Sequence, residues 1–556
     1  MLIFPAIVLG SLKIKGKENL PKIERIRHGL SKALMSLYVA PIALLGWNLY
    51  KSITIPSYSS FNIIHTVILT VIFGLISCGY SALLAGLAGL KSPKSRTHGS
   101  ARFAEREEES RILNNENEGL VIDGVRRLSQ QQSFQNCLVV APTGVGKTQS
   151  FVLPNLLYAG DYSIVVTDPS GEVFKKTSAY MASKGYDILA IRPYQLDKSC
   201  FYNPLHNIKT ISDAKIVSKT IVRQIESKGD PFWHTAAANM LSAIIMLLAD
   251  MSTSDKNYKC FANIKRLLVM SDEYIKELAN GVGSPITQEE IAQGYLGSEK
   301  TIHSIKTTLL SAIELFSDEH FRALTQSHNL ELGQLRAKKT VLYIIVPEEK
   351  IKPSSAFLSL FYKQLFEGLI SNSEGYPVFV LLEEFANSGY IPDFEQLITV
   401  SRKRNISISL VVQEIEQIEK LYKGQLETII SGGCQNKLFY SGLGVKSCEY
   451  VSRMLGDSTI EVTSTQNPGI FSSKKSTTTK SEAARRLMTP DEIRRLNKDF
   501  ALFVSGNHAP IITGTLPLYK NDFLQQELIK YQDKQAEIKH IDKKDSVLLA
   551  SVMAKL

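Results

Sequence analysis

Ala141-Pro142-Thr143-Gly144-Val145-Gly146-Lys147-Thr148 is the stretch that decides the fold. An apolar run, Cys137-Leu138-Val139-Val140, precedes it, and an apolar segment through Phe151, Val152, Leu153, Leu156 and Leu157 follows. Strand, glycine loop and helix in that order make a phosphate-binding loop. Glycine lets backbone N–H groups curl around phosphate oxygens, and the helix N-terminus adds partial positive charge. Thr143 to Thr148 would line the phosphates, with Lys147 reaching the β- and γ-phosphates and the Thr148 hydroxyl on Mg2+. A plain glycine turn before a helix needs neither that lysine nor that threonine. The first glycine of the pattern is Ala141 here. It stands at the strand end, where a negative φ suffices and a methyl is tolerated.

Working outward, apolar runs at 137–141, 163–167, 187–191, 340–346, 377–382, 406–412 and 500–504 read as strands, many of them separated by helical patterns. That alternation predicts an α/β domain on a parallel sheet. Residues 211–320 lack convincing strands and read as helices, for example Thr235–Met251 and Thr301–Leu315. They are expected to form an all-α domain inserted between sheet strands. Ser464–Ser481, rich in Ser, Thr and Lys, reads as a mobile loop.

A phosphate loop hydrolyses only with acids opposite it. Tyr376-Pro377-Val378-Phe379-Val380-Leu381-Leu382-Glu383-Glu384-Phe385 is an apolar strand ending in two. Glu383 would hold Mg2+, through water, and Glu384 would activate the attacking water. Aspartate is commoner at the first position; an outer-sphere contact absorbs the extra methylene. Asp168, closing the run Ser163–Thr167, is a rival metal acid and ranks lower. Arg402-Lys403-Arg404 leads into a strand that ends at Gln413, a residue placed to read the γ-phosphate state. Arg402 or Arg404 could act as an arginine finger on a neighbour's nucleotide, or form a solvated or DNA-facing turn.

At 556 residues the chain exceeds one core and predicts two or three domains. Six scattered cysteines without a CxxC pair exclude a zinc or disulfide framework and fit reduced, buried thiols. The formal charge is +10, and residues 1–32 carry seven Lys/Arg against Glu18 and Glu24, so half the excess is local. Ala33–Tyr50 is free of charge, and Phe61–Leu90 has no Lys, Arg, Asp or Glu. Both are long enough to span a bilayer. Basic residues flank the pair on the outside, Lys13 to Lys32 before and Lys91, Lys94, Arg96 and Arg102 after, which places both ends in the cytoplasm. The N-terminal charge therefore reads as a topology signal rather than a DNA-binding arm. Met1–Leu12 is too short to span, and no charged region precedes it, so a cleaved signal peptide is not expected.

In this order the motifs resemble those of the TraG/TraD-type coupling proteins of type IV secretion systems. They are Thr97-His98-Gly99-Ser100-Ala101-Arg102-Phe103, the phosphate loop, Val166-Thr167-Asp168-Pro169-Ser170-Gly171-Glu172, Phe201-Tyr202-Asn203-Pro204-Leu205, Asp230-Pro231-Phe232-Trp233, Leu381–Phe385, Val411-Val412-Gln413 and Arg486–Arg494. The resemblance implies a RecA-like P-loop NTPase domain with an inserted all-α domain and an N-terminal two-helix transmembrane hairpin. The divisions are 1–32, a basic cytoplasmic segment; 33–90, the hairpin; 91–210 and 321–525, the two parts of the nucleotide-binding domain; 211–320, the insert; and 526–556, a tail.

It further implies a multi-pass protein of the bacterial inner membrane with a cytoplasmic motor, assembled as a homo-oligomeric ring, typically a hexamer. Its cofactors would be ATP and Mg2+. By the family pattern Lys147 and Thr148 bind nucleotide, Glu384 is catalytic, Gln413 senses the nucleotide and Arg402 acts across the subunit interface. The partners would be single-stranded DNA with bound relaxase, or effector proteins, together with the secretion channel and its ATPases. A non-hydrolysing docking receptor and a chromosome-partitioning DNA pump are the other readings; the helical insert with Asp230–Trp233 speaks against the pump.

Overall fold

The computed structural model describes residues 97–549 apart from 226–230, 255, 467–476, 533 and 539–542, and scattered positions between 46 and 72. Met1–Arg96 and Thr97–Leu556 are separate units. In the first, the described positions are helical, and apolar side chains such as Trp47, Ile53, Ile68 and Val71 stand exposed. The rest of the expected hairpin 33–90, and all of 1–32, lie outside the described residues.

The second unit is built on strands in chain order: Cys137–Val140 (β1), Ser163–Thr167 (β2), Asp187–Ile191 (β3), Ser327–His328 (β4), Thr340–Ile344 (β5), Val378–Leu382 (β6), Ile406–Val412 (β7), Asn436–Phe439 (β8), Asp457–Gln466 (β9), Thr477–Arg486 (β10), Phe500–Ser505 (β11), Ile511–Gly514 (β12) and Lys544–Asp545 (β13). Nine of them form one sheet in the order β12-β11-β8-β1-β7-β6-β2-β5-β3. The strands from β8 to β3 are parallel, whereas β11 runs antiparallel to both β8 and β12. The wholly parallel sheet expected from sequence is therefore a mixed one. Direction is fixed by how a connection returns to the sheet, not by the strand's own residues.

The parallel strands are apolar throughout because both faces are covered. Alternate residues serve opposite cores: Leu138, Val140 and Val165 pack on one face, Cys137, Val139, Ile164 and Val166 on the other. The first core runs on into helices between β3 and β4, among them Ile211–Val222, Pro231–Met251, Phe261–Leu268, Asp272–Val282, Pro285–Gly294 and Glu299–Ala312. Pro231–Met251 packs against the other five. It is the one described helix long and apolar enough to cross a membrane, yet Met240, Leu241, Ile244, Ile245, Leu247 and Leu248 are fully buried in protein. Its apolar character belongs to the centre of a helical bundle. The five described cysteines are free and buried.

Two sequence expectations change. Ser464–Ser481 is not simply a loop, because strands β9 and β10 pair antiparallel up to Gln466 opposite Thr477. Ser and Thr composition signals turns, but Thr also suits strands. The tail, read only as mixed charge, is docked. Ala536 N–H donates to Ser178 Oγ at 3.2 Å, β13 pairs with β4, Val547 N–H donates to Asn257 O at 2.7 Å, and Leu549 is buried.

Asn136 enters β1 with φ 56° and is buried. Its Nδ2 donates to Ile398 O at 2.9 Å and Gly433 O at 3.0 Å, and its Oδ1 accepts from Ile408 N–H at 2.8 Å. Asn136→Ala strands these groups and loses a residue that tolerates positive φ. We expect a loss of about 3 kcal/mol, read from the denaturation midpoint.

Near the docked tail, the His206 and His328 rings stack with centroids 4.3 Å apart. Asn203 N–H donates to His328 Nδ1 at 3.3 Å. Burial pushes both rings down to about 4. His328 and Lys259 add to the effect on His206, Glu331 opposes it, and Lys544 lowers both. Unfolded imidazoles titrate near 6.5. Between about 4 and 6.5 the unfolded chain thus binds more protons, and stability falls as pH falls. The slope is at most about 1.4 kcal/mol per pH unit per histidine. A His206→Gln/His328→Gln variant should flatten it in thermal melts taken from pH 6.5 to 4.5.

Candidate nucleotide site

Three neighbouring parallel strands, β1, β7 and β6, end at the same edge, with Val140 beside Val412 and Leu382 beside Leu410. The segments that follow them are the glycine loop, Gln413 and the pair Glu383–Glu384. Ligands of open α/β sheets sit at this carboxyl edge. In the loop Gly144 has φ 83° and Gly146 has φ 85°, a region closed to most side chains. Ala141 is not among the positive-φ residues; it is buried, and its N–H continues the ladder to Val412 O at 3.0 Å. Its methyl is core, and the departure from glycine costs the loop nothing.

Lys147 leads into a π-helical turn, Thr148–Val152, in which Leu153 N–H donates to Thr148 O five residues back. Pro154, which has no N–H, follows directly. Lys147 Nζ forms an ion pair with Glu384 Oε1. Thr148 Oγ1 donates to Glu383 Oε1 at 2.5 Å. Gln413 Nε2 donates to Glu384 Oε1 and Oε2 at 3.1 and 3.2 Å, and Asn387 Nδ2 to Oε2 at 3.2 Å. Glu384 sits at φ 55° and ψ 39°, a left-handed conformation costing about 1–2 kcal/mol. Such strain concentrates where a side chain must be aimed. Both acids are 5% exposed. Burial pushes the Glu383 carboxyl up to about 7, against the Thr148 hydrogen bond and the Lys147 charge; Glu384 and Asp168 add to the rise.

Asp168 closes β2, beside β6. Its Oδ2 accepts from Phe174 N–H at 2.8 Å and its Oδ1 from Ser170 Oγ at 3.4 Å. Burial raises its pKa. The carboxylate is thus occupied in holding its own turn. Glu172, on that turn, accepts from Gln149 Nε2 at 2.8 Å and ties it to the helix after the glycine loop.

Arg402 lies elsewhere. It opens the exposed turn Arg402–Arg404 ahead of β7, and β7 is seven residues long. That puts about 20 Å of strand between Arg402 and the carboxyl edge. Within one chain Arg402 does not join Lys147, Thr148, Glu383, Glu384 and Gln413, and Arg404 shares its turn.

These groups line a cavity of 1320 Å³ whose other walls include Arg192, Tyr194, Lys498, Asp499, Thr515, Tyr519 and Lys520. Sequence reasoning missed these residues. They follow β3 or flank the antiparallel pair β11–β12, and no local pattern marks them. The donor set fits a nucleoside triphosphate with a divalent cation: glycine-loop N–H groups and Lys147 for phosphates, Thr148 Oγ1 and Glu383 for the metal shell.

Residues 98–540 match the family described as Type IV secretory system Conjugative DNA transfer. The chain is 22% identical over 410 residues to Protein VirD4 of Rhizobium radiobacter, covering 70% of this chain and 58% of that one. It is 20% identical over 401 residues to the conjugal transfer protein TraG of Rhizobium radiobacter, covering 69% and 62%. The chain thus spans under two thirds of the length of these curated relatives. Among solved structures it resembles the bacterial conjugative coupling protein TrwBdeltaN70, with TM-score 0.59, 15% identity, and 81% and 97% of the two chains covered. TrwB in complex with the non-hydrolysable analogue ADPNP gives TM-score 0.60 at 15% identity, covering 77% and 96%. TrwB in complex with ADP and Mg2+ gives TM-score 0.59 at 15% identity, also covering 77% and 96%. At these identities the likeness establishes the fold.

Proposed function

The chain belongs to the type IV secretory system conjugative DNA transfer family, and from that premise we propose that it is the membrane-anchored ATPase that couples substrate to a secretion channel in conjugation. The observation that carries the proposal is the contact of Lys147 with Glu384 and of Thr148 with Glu383 at the carboxyl edge. The relatives named for conjugal transfer and the TrwB complexes with ADPNP and with ADP and Mg2+ support the cargo class and the ligand.

Without nucleotide, Lys147 is neutralised by Glu384. A γ-phosphate takes over Lys147 and frees Glu384 to accept the proton of an attacking water. Gln413, bonded to both Glu384 oxygens, holds the carboxylate in line and is displaced when its charge or position changes. Thr148 Oγ1 and Glu383 are the groups that would hold Mg2+, which would supply positive charge against the phosphates. The two-helix hairpin at 33–90 anchors the motor, and the exposed apolar positions in the first unit support that reading.

Arg402 acts on the site of the next copy in a ring, a reading supported by its distance from its own. Arg402→Ala and Glu384→Gln chains should each be inactive alone. Mixed in equal amounts they should regain about a quarter of wild-type turnover, because a quarter of random interfaces pair an intact acid with an intact arginine. A mixture no more active than either parent would place Arg402 outside the site.

Crosslinking the full chain to translocating cargo in vivo tests the whole. Single-stranded DNA and relaxase are the expected adducts; effector proteins alone would make this a protein-secretion coupler.

A further inference from the structure

The nucleotide cavity has a wall that the phosphate chemistry leaves unused. Glu383 and Glu384 follow β6, which lies beyond β7 on one side of β1. On the other side of β1 come β8, β11 and β12. Hydrolysis at the acids puts the γ-phosphate on the β7 side of the glycine loop. The α-phosphate and the nucleoside then leave the loop towards β8 and beyond. The wall in that direction includes Lys498 and Asp499, ahead of β11, and Thr515, Tyr519 and Lys520, after β12. Three strand spacings, about 14 Å, separate β12 from β1. An extended nucleoside triphosphate covers that span.

The segment after β12 is held at nearly every residue. Thr515 N–H donates to Asp499 O at 2.7 Å, and Leu516 N–H to Asp123 O at 2.8 Å. Leu518 is buried in the same core as Phe151 and Val152. Its 3-10 turn, Leu518–Lys520, packs against Thr148–Val152, the turn that follows Lys147. Asn521 is buried, and its Nδ2 donates to Tyr158 Oη at 3.3 Å. Successive residues of a 3-10 turn point about 120° apart. With Leu518 turned into the core, Tyr519 is turned out. Its side chain lines the cavity and is 63% exposed, although the backbone on both sides of it is anchored.

We infer that Tyr519 is the platform on which the nucleobase stacks, at the end of the cavity away from the acids. The inference rests on the reading of this cavity as an ATP site. Stacking needs a π-face held in place rather than a matched base edge. A ring whose backbone is fixed by Leu518 and Asn521 offers that face at little ordering cost on binding. Tyr519 thus adds affinity for the nucleoside without touching the reacting atoms.

Calorimetry on the full chain in detergent tests it, with two probes: the non-hydrolysable analogue ADPNP and inorganic triphosphate, which has no base. Tyr519→Ala should weaken ADPNP binding on the order of tenfold or more and leave triphosphate binding unchanged. Tyr519→Phe, which keeps the π-face, should bind both as the parent does. In turnover, Tyr519→Ala should raise KM for ATP by a similar factor with kcat largely kept, because the stack is the same in ground and transition states. Unchanged ADPNP affinity in Tyr519→Ala overturns the inference and leaves the phosphate site intact. Equal weakening of ADPNP and triphosphate overturns it too, since the ring would then act by holding the glycine loop. A parent chain that binds neither probe overturns the ATP-site reading, and this one with it.

Discussion

Lys147→Ala should abolish ATP turnover, weakening nucleotide binding by about 100- to 1000-fold through the loss of a charge-assisted contact to phosphate. Stability and catalysis must be separated here, because the same change harms the empty protein. Glu384 has 6% side-chain exposure and loses its cation. A buried charge left unpaired costs about 3–5 kcal/mol. Lys147→Ala/Glu384→Gln removes both charges and should recover most of the thermal midpoint while remaining inactive. Nucleotide affinity is read by fluorescence titration and turnover by phosphate release. Wild-type turnover in a folded Lys147→Ala protein would end the motor reading.

Glu384→Gln should separate binding from hydrolysis. The amide keeps the shape of the carboxylate but cannot take a proton from water, and a positioned general base is worth about 100- to 10,000-fold. Turnover should fall by about that factor. Affinity should hold or rise a few-fold, because Lys147 is no longer neutralised and is free for phosphate. A fall of less than tenfold would move the base elsewhere.

Much of the α/β core was legible because it is local. Fully buried strands must be continuously apolar, and β1, β2, β3, β5, β6, β7 and β11 all lie on runs that the sequence marks. β8 was missed because Asn436-Lys437-Leu438-Phe439 opens with two polar residues. Asn436 finds partners far along the chain, its Nδ2 donating to Gln132 O and Asn136 O, and Lys437 Nζ donates to Cys434 O three residues back. β12, Ile511-Ile512-Thr513-Gly514, is short and half exposed. Ser464–Ser481 was read as a loop because none of its described side chains is buried, so hydrophobic periodicity had nothing to report there. The tail gave no pattern either; backbone hydrogen bonds to β4 and the helical insert hold it.

By itself the sequence determined the glycine loop, its lysine and threonine, and the acids at 383 and 384, because φ preference and strand periodicity act over a few residues. Tertiary structure decided which of these meet. Lys147 and Glu384 are 237 positions apart, and they touch because β7 alone separates β1 from β6. The same order sends Arg402 to the far end of β7, since parallel strands place everything before them at one edge and everything after them at the other. Residue identity could nominate Arg402; only the direction of a strand could show that it lies away from the site of its own chain.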